Sequence, residues 1–359
     1  MRRVVVTGMG AITPVGNDID TMWANMLAGV NGVEKITAFD TSDLKVHLAG
    51  TVKNFEPEKY IEKRELRKLD IYCQYAIAAA QQAVDDSGIL GNINEERFGV
   101  YIGAGIGGLH SFVNNVTALN EGGPRKVSPF FIPMMIGNIA TGNVAIRFKA
   151  KGVSLSVMSA CATGTHSIGE AFHAIKDGYA DAIIAGGTEA VIAPLTIAGF
   201  QNMKALSTNE DPETASRPFD KNRDGFVMGE GAGMLVLEEY EHAKARGARV
   251  YANVLGSASL HEPAAYGSES TQKLLGRTLR EACADAGVEE AKLGKIFYAA
   301  TDAAQDVTAQ IGNSRACAAA YALEKAVQAV AQGECQYAAA VAGGWTGCAS
   351  AVIVGRANA

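Results

Sequence analysis

Cys161 is the residue of this sequence best placed for covalent chemistry. It follows the apolar segment 153–158, which predicts a strand, and precedes 164–174, which predicts a helix. At a helix N-terminus, unpaired backbone N–H groups and the helix dipole favour a thiolate, which is the nucleophilic form of cysteine. The small neighbours Ala160 and Ala162 leave room for an acyl group and for backbone donors to an oxyanion. Spacing alone is equally compatible with a buried, inert cysteine.

The other thiols and the imidazoles do not form a recognisable metal or redox motif. No two of the six cysteines have C-x-x-C spacing, so we expect free thiols and neither a metal nor a cofactor. None of the six histidines follows His261. The cysteines are Cys73, Cys161, Cys283, Cys317, Cys335 and Cys348.

Predicted strands alternate with predicted helices along the first half of the chain. A β-branched strand at Arg3–Thr7 runs into Gly8–Gly10, which predicts a turn. Such alternation predicts α/β layers around a mostly parallel sheet. The further predicted elements are helices at Thr21–Leu27 and Gln74–Ser87 and strands at Val100–Gly103 and Ala182–Gly187.

A weak internal repeat supports a duplicated architecture. Cys161 is followed 17 residues later by Gly178, and Cys317 is followed 16 residues later by Gly333. In both copies an apolar strand ending in Gly-Gly comes next. The repeat favours two βαβ halves that share one core, each with a buried helix of small residues. An Ala/Gly bias in composition is the alternative explanation.

Composition and charge restrict the class of protein. The chain has 359 residues, of which 48% are hydrophobic and 19% charged, so a large core is expected and disorder is not. A net charge of −6 disfavours general nucleic-acid binding. The N-terminal residues lack the pattern of a signal peptide, and no apolar run reaches the length of a membrane span. We expect a cytoplasmic protein.

Four segments resemble β-ketoacyl-[acyl-carrier-protein] synthases of the bacterial synthase II group. The segment SACATGTHSIGEA at Ser159–Ala171 resembles the nucleophile elbow of that family, and the likeness runs continuously over residues 1–256. The resemblance implies a thiolase-like fold of duplicated halves in an α-β-α-β-α arrangement. It also implies a homodimer or heterodimer and transfer of an acyl group from acyl carrier protein to Cys161. The other segments are Val4–Gly16, Gly122–Pro133 and Arg217–Gly256.

The chain departs from the family pattern in residues 257–359, which we interpret as a shortened second half. The family carries two histidines there, in H-G-T-x-T and G-H-x-x-G-A-A-G motifs, and neither motif is present. The nearest matches are Tyr298–Asp302 and Ser314–Ala320, where Arg315 falls at the expected histidine. The family's F-G-F-G-G-T-N loop is replaced by Gly343–Ala349. Because those histidines assist decarboxylation and stabilise the enolate, we expect impaired condensation.

The resemblance also assigns residues to acyl and carrier-protein contacts. Phe130, Phe131 and Trp345 are expected to line the acyl pocket, or, for the two phenylalanines, a dimer interface or core. Cys348 could lie at the pocket mouth, with a buried small residue as the alternative, and Cys317 is expected to be packing. His166 and His261 match histidines that relatives use structurally more than catalytically.

Two basic clusters match positions that relatives use to bind carrier protein. Arg64, Arg67 and Lys68 are expected on one helical face, at i, i+3 and i+4, and Arg125 and Lys126 form a second pair. Acyl carrier proteins are acidic, so a docking surface needs positive charge despite a negative total. Ordinary solvated charge is the alternative.

Three functions remain open at this stage. The first is a condensing enzyme that forms 3-oxoacyl products for fatty-acid or polyketide synthesis. The second is a partner subunit that resembles chain-length factors and pairs with a complete synthase. The third is a transferase that passes the Cys161 acyl group to an acceptor other than a malonyl group.

Overall fold

The computed structural model describes residues 2–218, 220–263, 270–299, 316–344 and 347–357. The strands are β1 Val4–Ile12, β2 Val33–Lys35, β3 Leu48–Gly50, β4 Phe98–Ala104, β5 Ser154–Leu155, β6 Ala182–Glu189, β7 Met228–Gly229, β8 Gly231–Glu239, β9 Ala252–His261, β10 Lys295–Ala299, β11 Tyr337–Gly343 and β12 Cys348–Arg356. The helices are α1 Ile19–Leu27, α2 Lys63–Leu66, α3 Ile71–Ser87, α4 Leu109–Gly122, α5 Phe131–Met135, α6 Ile139–Phe148, α7 Thr163–Lys176, α8 Pro194–Asn202, α9 Pro212–Ala215, α10 Tyr240–Ala245, α11 Ser270–Ala286 and α12 Ala316–Ala331.

The main sheet shows that the fold is duplicated. Its strand order among the described residues is β10-β11-β12-β9-β1-β8-β6-β4-β5. The central pair of strands is β1 and β9. Counted outward from that pair, the order β1-β8-β6-β4 in one half corresponds to β9-β12-β11-β10 in the other. The halves join where β1 pairs with β9 over Val4–Val6. The duplicated βαβ halves predicted from the sequence are therefore confirmed.

Helices cover both faces of the two half-sheets and produce the predicted α-β-α-β-α layers. Helices α7 and α12 pack between the halves, where Phe172 and Tyr321 belong to one buried cluster. Helix α3 covers the outer face of the first half, and α11 covers that of the second. Alternate residues of β8 face the two layers, with Leu235 inward and Val236 outward.

The helix stops predicted by the repeat are observed. Gly178 and Gly333 follow α7 and α12 with φ of +86° and +80°. This left-handed conformation is favourable for glycine, and it lets the chain leave each central helix for the next strand. The two glycines therefore occupy equivalent places in the two halves.

The expectation of a mostly parallel sheet is wrong, because the sheet is mixed. Strands β4, β5 and β6 are parallel to one another, but β6, β8, β1, β9, β12 and β11 follow one another in antiparallel pairs. The alternation of strands and helices in the first half describes only β4 to β6. It does not describe β8, which returns antiparallel beside β6 after residues 190–230.

Gly8 and Gly10 do not form the predicted turn, since β1 continues through them to Ile12. A Cβ at Gly8 would lie 2.1 Å from the carbonyl oxygen of Ala83, and one at Gly10 would lie 2.1 Å from that of Ala79. Ala79 and Ala83 both belong to α3, which crosses β1 at Gly8 and Gly10. The glycines therefore permit close approach of a helix to a strand rather than a reversal of the chain.

Other predicted elements are present with changed bounds. The predicted strand at residues 153–158 is reduced to β5, which pairs with β4 only at Val100 and Tyr101. The predicted boundary at residue 256 falls inside β9, which pairs with β1 on one side and β12 on the other. No helix among the described residues is long and apolar enough to cross a membrane.

Candidate active site

Cys161 lies in a tight turn at the start of the central helix of the first half. Residues Ala160–Ala162 form one 3-10 turn that leads directly into α7. Ala160 has a φ of +52°, a left-handed conformation that costs a non-glycine residue about 1–2 kcal/mol. The backbone N–H of Ser159 donates to Thr163 Oγ1 at 2.9 Å across the turn. The strained turn thus fixes the thiol immediately before the N-terminus of a 14-residue helix.

Two glycines bring the rest of the fold close to this turn. A Cβ at Gly103, on β4, would lie 2.2 Å from both the Val157 carbonyl oxygen and Thr163 Cγ2. A Cβ at Gly344, just after β11, would lie 3.3 Å from Cys161 Cβ and 3.6 Å from Cys161 Sγ. Gly344 belongs to the second half of the chain. Both halves therefore build the site around a thiol that is 7% exposed.

This arrangement suits attack by the thiol on a thioester. The position before α7 places helix N–H groups and the positive end of the dipole near Cys161, where they favour a thiolate. The same donors can stabilise the oxyanion of a tetrahedral intermediate. Cys161 forms no disulfide, and Cys73, Cys283, Cys335 and Cys348 are likewise free of disulfides.

His166 is on the same helix and is held by several polar groups. Its Nδ1 lies 3.2 Å from Ser159 Oγ, and its Nε2 lies 3.6 Å from Glu170 Oε1. Hydrogen bonds to Cys348 first and Glu170 second stabilise the imidazolium and raise the pKa of His166 to about 9. A neutral imidazole is needed for a general base, so this environment disfavours His166 in that role near pH 7.

Cys348 is a component of the site that sequence reasoning left open. It begins β12 opposite His261 of β9, and its carbonyl oxygen accepts from the N–H of Gly344 at 3.1 Å. Its side chain is partly exposed and is near enough to His166 to contribute to the raised pKa of that imidazole. Since 182 residues separate His166 from Cys348 in the chain, local spacing could not pair them. In the sequence, only the alternation of side chains along β12 indicates on which face of the sheet Cys348 lies.

Two buried carboxylates fix the loop between β4 and α4 at the same end of the sheet. Glu189, at the end of β6, accepts from the N–H groups of Gly105, Ile106 and Gly107 at 2.8, 3.3 and 3.4 Å. Asp70 accepts from the N–H of Ser111 at 2.7 Å. These anchors, which the sequence did not indicate, position α4 and the segment that follows it.

The predicted acyl-pocket residues are only partly placed. The Phe131 ring lies 6.3 Å from that of Phe112 on α4, and the Phe130 ring is 40% exposed. Met158, three residues before Cys161, reaches the segment after α5, because a Cβ at Gly137 would lie 3.1 Å from Met158 Cε. Trp345 lies outside the described residues. The pocket role of all three aromatic residues stays a prediction.

The predicted carrier-contact residues are all exposed and lie near one another in part. Arg64, Arg67 and Lys68 are exposed, as are Arg125 and Lys126 in the short 3-10 helix Pro124–Lys126. Lys68 Nζ lies 5.9 Å from the ring of Phe130, which is four residues after Lys126. The single helical face is not observed, because α2 ends at Leu66 and Arg67 caps it.

The expected positions of the family histidines are also only partly described. Tyr298 and Ala299 end β10, whereas residues 300–302 of the first nearest match lie outside the described residues. Ser314 and Arg315 of the second match lie outside them as well. Helix α12 begins at Ala316, which is the third residue of that match. The assignment of these matches stays a prediction.

Gly344→Ala is expected to slow acylation of Cys161 by about ten-fold, since small displacements at a reacting centre have large effects on rate. The added methyl group would lie 3.6 Å from Sγ, in space that an acyl group needs. The measurement is single-turnover acylation by a thioester. Gly199→Ala in α8, where a Cβ would meet nothing within 4 Å, is the matched control. Equal rates for both variants would show that Gly344 does not border the acyl site.

Comparison with known proteins supports the resemblance inferred from the sequence. The family model for the β-ketoacyl synthase N-terminal domain matches residues 1–243. The 3-oxoacyl-[acyl-carrier-protein] synthase 2 of Staphylococcus aureus (strain COL) is 51% identical over 297 residues, which cover 80% of this chain and 70% of that protein.

Solved structures agree over almost the full length. The ishigamide ketosynthase/chain length factor matches with a TM-score of 0.90 and 28% identity, covering 99% of both chains. A type II polyketide synthase acyl-carrier protein in complex with its ketosynthase, bound to the hexaketide, provides a chain that matches with a TM-score of 0.87 and 25% identity, again over 99% of both chains. With its Cys161 turn and duplicated layers, the chain belongs to the β-ketoacyl synthase family, in the 3-oxoacyl-[acyl-carrier-protein] synthase 2 group of thiolase-like ketosynthases.

Proposed function

We propose that this protein takes an acyl group from acyl carrier protein onto Cys161. The observation that carries the proposal is the position of Cys161, in a strained turn before α7 and against Gly344 of the second half. The Cys161 thiolate attacks the thioester carbonyl, the carbon–sulfur bond to the carrier breaks, and the carrier thiolate leaves and takes up a proton. The products are an acyl-Cys161 thioester and free carrier thiol.

Carbon–carbon bond formation is proposed to be impaired. In the family it requires decarboxylation of a malonyl thioester and stabilisation of the resulting enolate. No histidine follows His261 in the sequence, and His166 is engaged by Ser159 and Glu170. Acylation depends on the thiolate and on backbone donors, so it is the step that this chain retains.

The basic residues 64–68 and 125–126 are proposed to bind the acidic carrier protein. They are exposed, and Lys68 lies 5.9 Å from the ring of Phe130, four residues after Lys126, which supports a shared surface. A known complex of a ketosynthase with its acyl-carrier protein, whose fold this chain shares, supports such a partner. Arg64 and Lys68 also contact Glu62 and Glu65, so part of their charge is offset locally.

Arg125→Glu combined with Lys126→Glu is expected to weaken transfer from carrier protein by about ten-fold, since exposed charge pairs are each worth about 0.2–1 kcal/mol and a reversal adds repulsion. Acylation by a small thioester without a carrier should not change. The measurement compares kcat/KM for the two donors. Lys244→Glu is the control, because Lys244 lies in α10, which directly follows the last residue of β8. A proportional loss with both donors would contradict a docking role.

A dimer is proposed through the edge of the first half. Strand β5 is the last strand of the sheet, and its Leu155 is 44% exposed. Phe112, Val116 and Leu119 lie at i, i+4 and i+7 on α4 and are 39%, 39% and 43% exposed. An open strand edge and an exposed apolar helix face are each typical of an interface. The partner is a second copy or a related ketosynthase.

A second candidate function is that of a partner subunit for a complete synthase. The likeness to the ishigamide ketosynthase/chain length factor supports it, as does the lack of histidine after His261. Retention of Cys161 favours the acyl-transfer proposal instead. Co-purification with a ketosynthase that has both histidine motifs, together with no acyl adduct on the isolated chain, would favour the partner subunit. Transfer of the acyl group to an alcohol, amine or thiol remains a third outcome.

Transfer to Cys161 is tested by incubating the chain with acyl carrier protein loaded with a saturated acyl group. Intact-mass measurement should detect a chain heavier by one acyl group, and peptide mapping should assign it to Cys161. The amount of free carrier thiol should rise by the same number of moles. Release of carrier thiol without an adduct would indicate hydrolysis. If neither an adduct nor free carrier thiol were formed, the proposal would be contradicted.

A further inference from the structure

Glu189 is a buried carboxylate that gathers three successive backbone N–H groups of the loop after β4. It is fully buried at the end of β6, which runs beside β4. Its Oε2 accepts from the N–H of Gly105 at 2.8 Å, and its Oε1 accepts from those of Ile106 and Gly107 at 3.3 and 3.4 Å. Hydrogen bonds to an ionised acceptor are among the stronger ones, and three that converge fix the path of the backbone. The carboxylate therefore holds residues 105–107 at the end of the sheet.

The anchored loop supports the end of α5 and the residues after it through direct backbone contact. The N–H of Gly108 donates to the carbonyl oxygen of Met135 at 3.0 Å. A Cβ at Gly108 would lie 2.1 Å from the carbonyl oxygen of Met134, and one at Gly107 would lie 2.9 Å from Gly137 Cα. Because no side chain separates the two backbones, a shift of the loop must also move the segment 134–137.

The same end of β6 reaches this segment by a second route. Thr188 Oγ1 donates to the carbonyl oxygen of Tyr72 at 2.7 Å, and the Tyr72 hydroxyl donates to the carbonyl oxygen of Ile136 at 2.6 Å. The side chains of Thr188 and Tyr72 are fully buried. The adjacent residues Thr188 and Glu189 therefore hold the segment through two separate sets of hydrogen bonds.

The segment that they hold lies beside the nucleophile turn. A Cβ at Gly137 would lie 3.1 Å from Met158 Cε and 3.3 Å from Met158 Sδ. Met158 is three residues before Cys161, in the chain that leads into the turn. The contacts thus run from Glu189 through the loop and Gly137 to the residues next to the thiol.

Apolar side chains are exposed along these contacts. Ile106, Ile132 and Met158 are 37%, 55% and 56% exposed. Exposed apolar surface that collects in one place is typical of a binding site, and the flexible side chain of methionine adapts to partners of different shape. Since this surface adjoins Cys161, the aliphatic part of an acyl group is the occupant that it fits.

We propose that Glu189 is a positioning residue that shapes this apolar wall and so determines how well Cys161 accepts a long aliphatic chain. It acts through the loop 105–107 and the segment 134–137 and does not touch the reacting atoms. The inference rests on the acyl transfer to Cys161 proposed above. It adds that the chain, and not only the thioester or the carrier, is recognised at this end of the sheet.

The test uses the full chain and measures alkylation of Cys161 by iodoacetamide and by N-octyl iodoacetamide, with peptide mapping to identify the labelled cysteine. Glu189→Gln replaces one acceptor oxygen by an NH₂ group, so the side chain can no longer accept from all three N–H groups. The rate with the octyl reagent should fall about ten-fold, as expected for lost contact with about two methylene groups, and the rate with iodoacetamide should change by less than about two-fold. An equal fractional loss with both reagents would show general structural damage and would overturn the proposal.

Glu230→Gln is the matched control. Glu230 is also a buried carboxylate, but it accepts from the N–H of Val52 at 3.0 Å and from the Tyr75 hydroxyl at 3.3 Å. Its substitution should leave the ratio of the two alkylation rates unchanged. Should Glu189→Gln fail to fold, Tyr72→Phe keeps the buried ring, removes the hydrogen bond to Ile136 and should lower the octyl rate by about three-fold. A ratio that stays the same in every folded variant would overturn the proposal.

Failure of this inference is distinguishable from failure of the proposed function, because alkylation requires the thiol and its surroundings but no thioester. An acyl adduct on Cys161, together with alkylation ratios that Glu189→Gln does not alter, would leave the proposed function intact and remove the role of Glu189. A ten-fold loss with the octyl reagent, without any acyl adduct from carrier protein on the unsubstituted chain, would support the apolar wall and contradict the proposed transfer.

Discussion

Cys161→Ala is expected to remove carrier-dependent acylation completely. The thiolate is the only group in the proposed turn that can form the acyl bond, and alanine keeps the size and backbone preferences of the site nearly unchanged. Intact-mass measurement over a time course with acyl carrier protein gives the rate. The unsubstituted chain should be acylated throughout the same period.

Cys335→Ala is the matched control for this variant. Cys335 is 9% exposed, and burial raises the pKa of its thiol, so it is a cysteine of similar burial whose surroundings disfavour the thiolate. Its loss should leave acylation unchanged within error. An adduct that persists in Cys161→Ala at the same rate would show that another residue accepts the acyl group from the carrier.

Malonyl-dependent condensation by this chain alone is expected to be at least about 10⁴-fold slower than in a synthase with both histidine motifs. General acid–base catalysis and stabilisation of an oxyanion each contribute about 10²–10⁴ in rate, and the missing histidines serve both purposes. The acylation step should be affected far less. The two steps are therefore expected to separate in this protein, whereas in a complete synthase one follows the other.

The measurement is product formation from acyl-Cys161 and malonyl carrier protein, followed by mass spectrometry of the carrier-bound product. A synthase with both motifs, assayed with the same substrates, gives the reference rate. Carbon dioxide release in a parallel assay reports decarboxylation without condensation. A rate within ten-fold of the reference would show that other groups of this chain replace the histidines.

The first half of the fold was largely predictable because its signals are local. The β-branched run at the N-terminus and the apolar run at Ala182–Gly187 both form strands, and the small-residue segment after Cys161 forms the central helix α7. The glycine at position 178 ends that helix in the left-handed conformation, as its spacing predicted. Each of these features depends on residues that are close together in the sequence, within about the length of one helix or strand.

Features that depend on distant contacts were not predictable. Gly8 and Gly10 indicate a turn by type, yet they serve the crossing of α3 over β1, which only the tertiary structure contains. The antiparallel return of β8 beside β6 likewise follows from a long connection and not from periodicity. In the site, the nucleophile turn could be predicted, whereas the strain at Ala160 and the contact of Gly344 with Cys161 could not.

Cys348 illustrates the same limit for function. Sequence alone offered a pocket mouth or a buried small residue as alternatives for this cysteine. Its position near His166 arises because β12 brings the second half of the fold against α7. The exposure of the basic residues at 64–68 and 125–126 was easier to predict, since they cluster within short polar segments of the chain.

The central claim is that this protein forms an acyl-Cys161 thioester but does not carry it efficiently into condensation. The most direct test is a chase experiment, in which the acylated chain is purified, mixed with malonyl carrier protein and followed by intact mass and product analysis. The account predicts that the acyl adduct forms, maps to Cys161 and persists after malonyl carrier protein is added, with little 3-oxoacyl product. Rapid loss of the adduct with equimolar appearance of 3-oxoacyl product would contradict it.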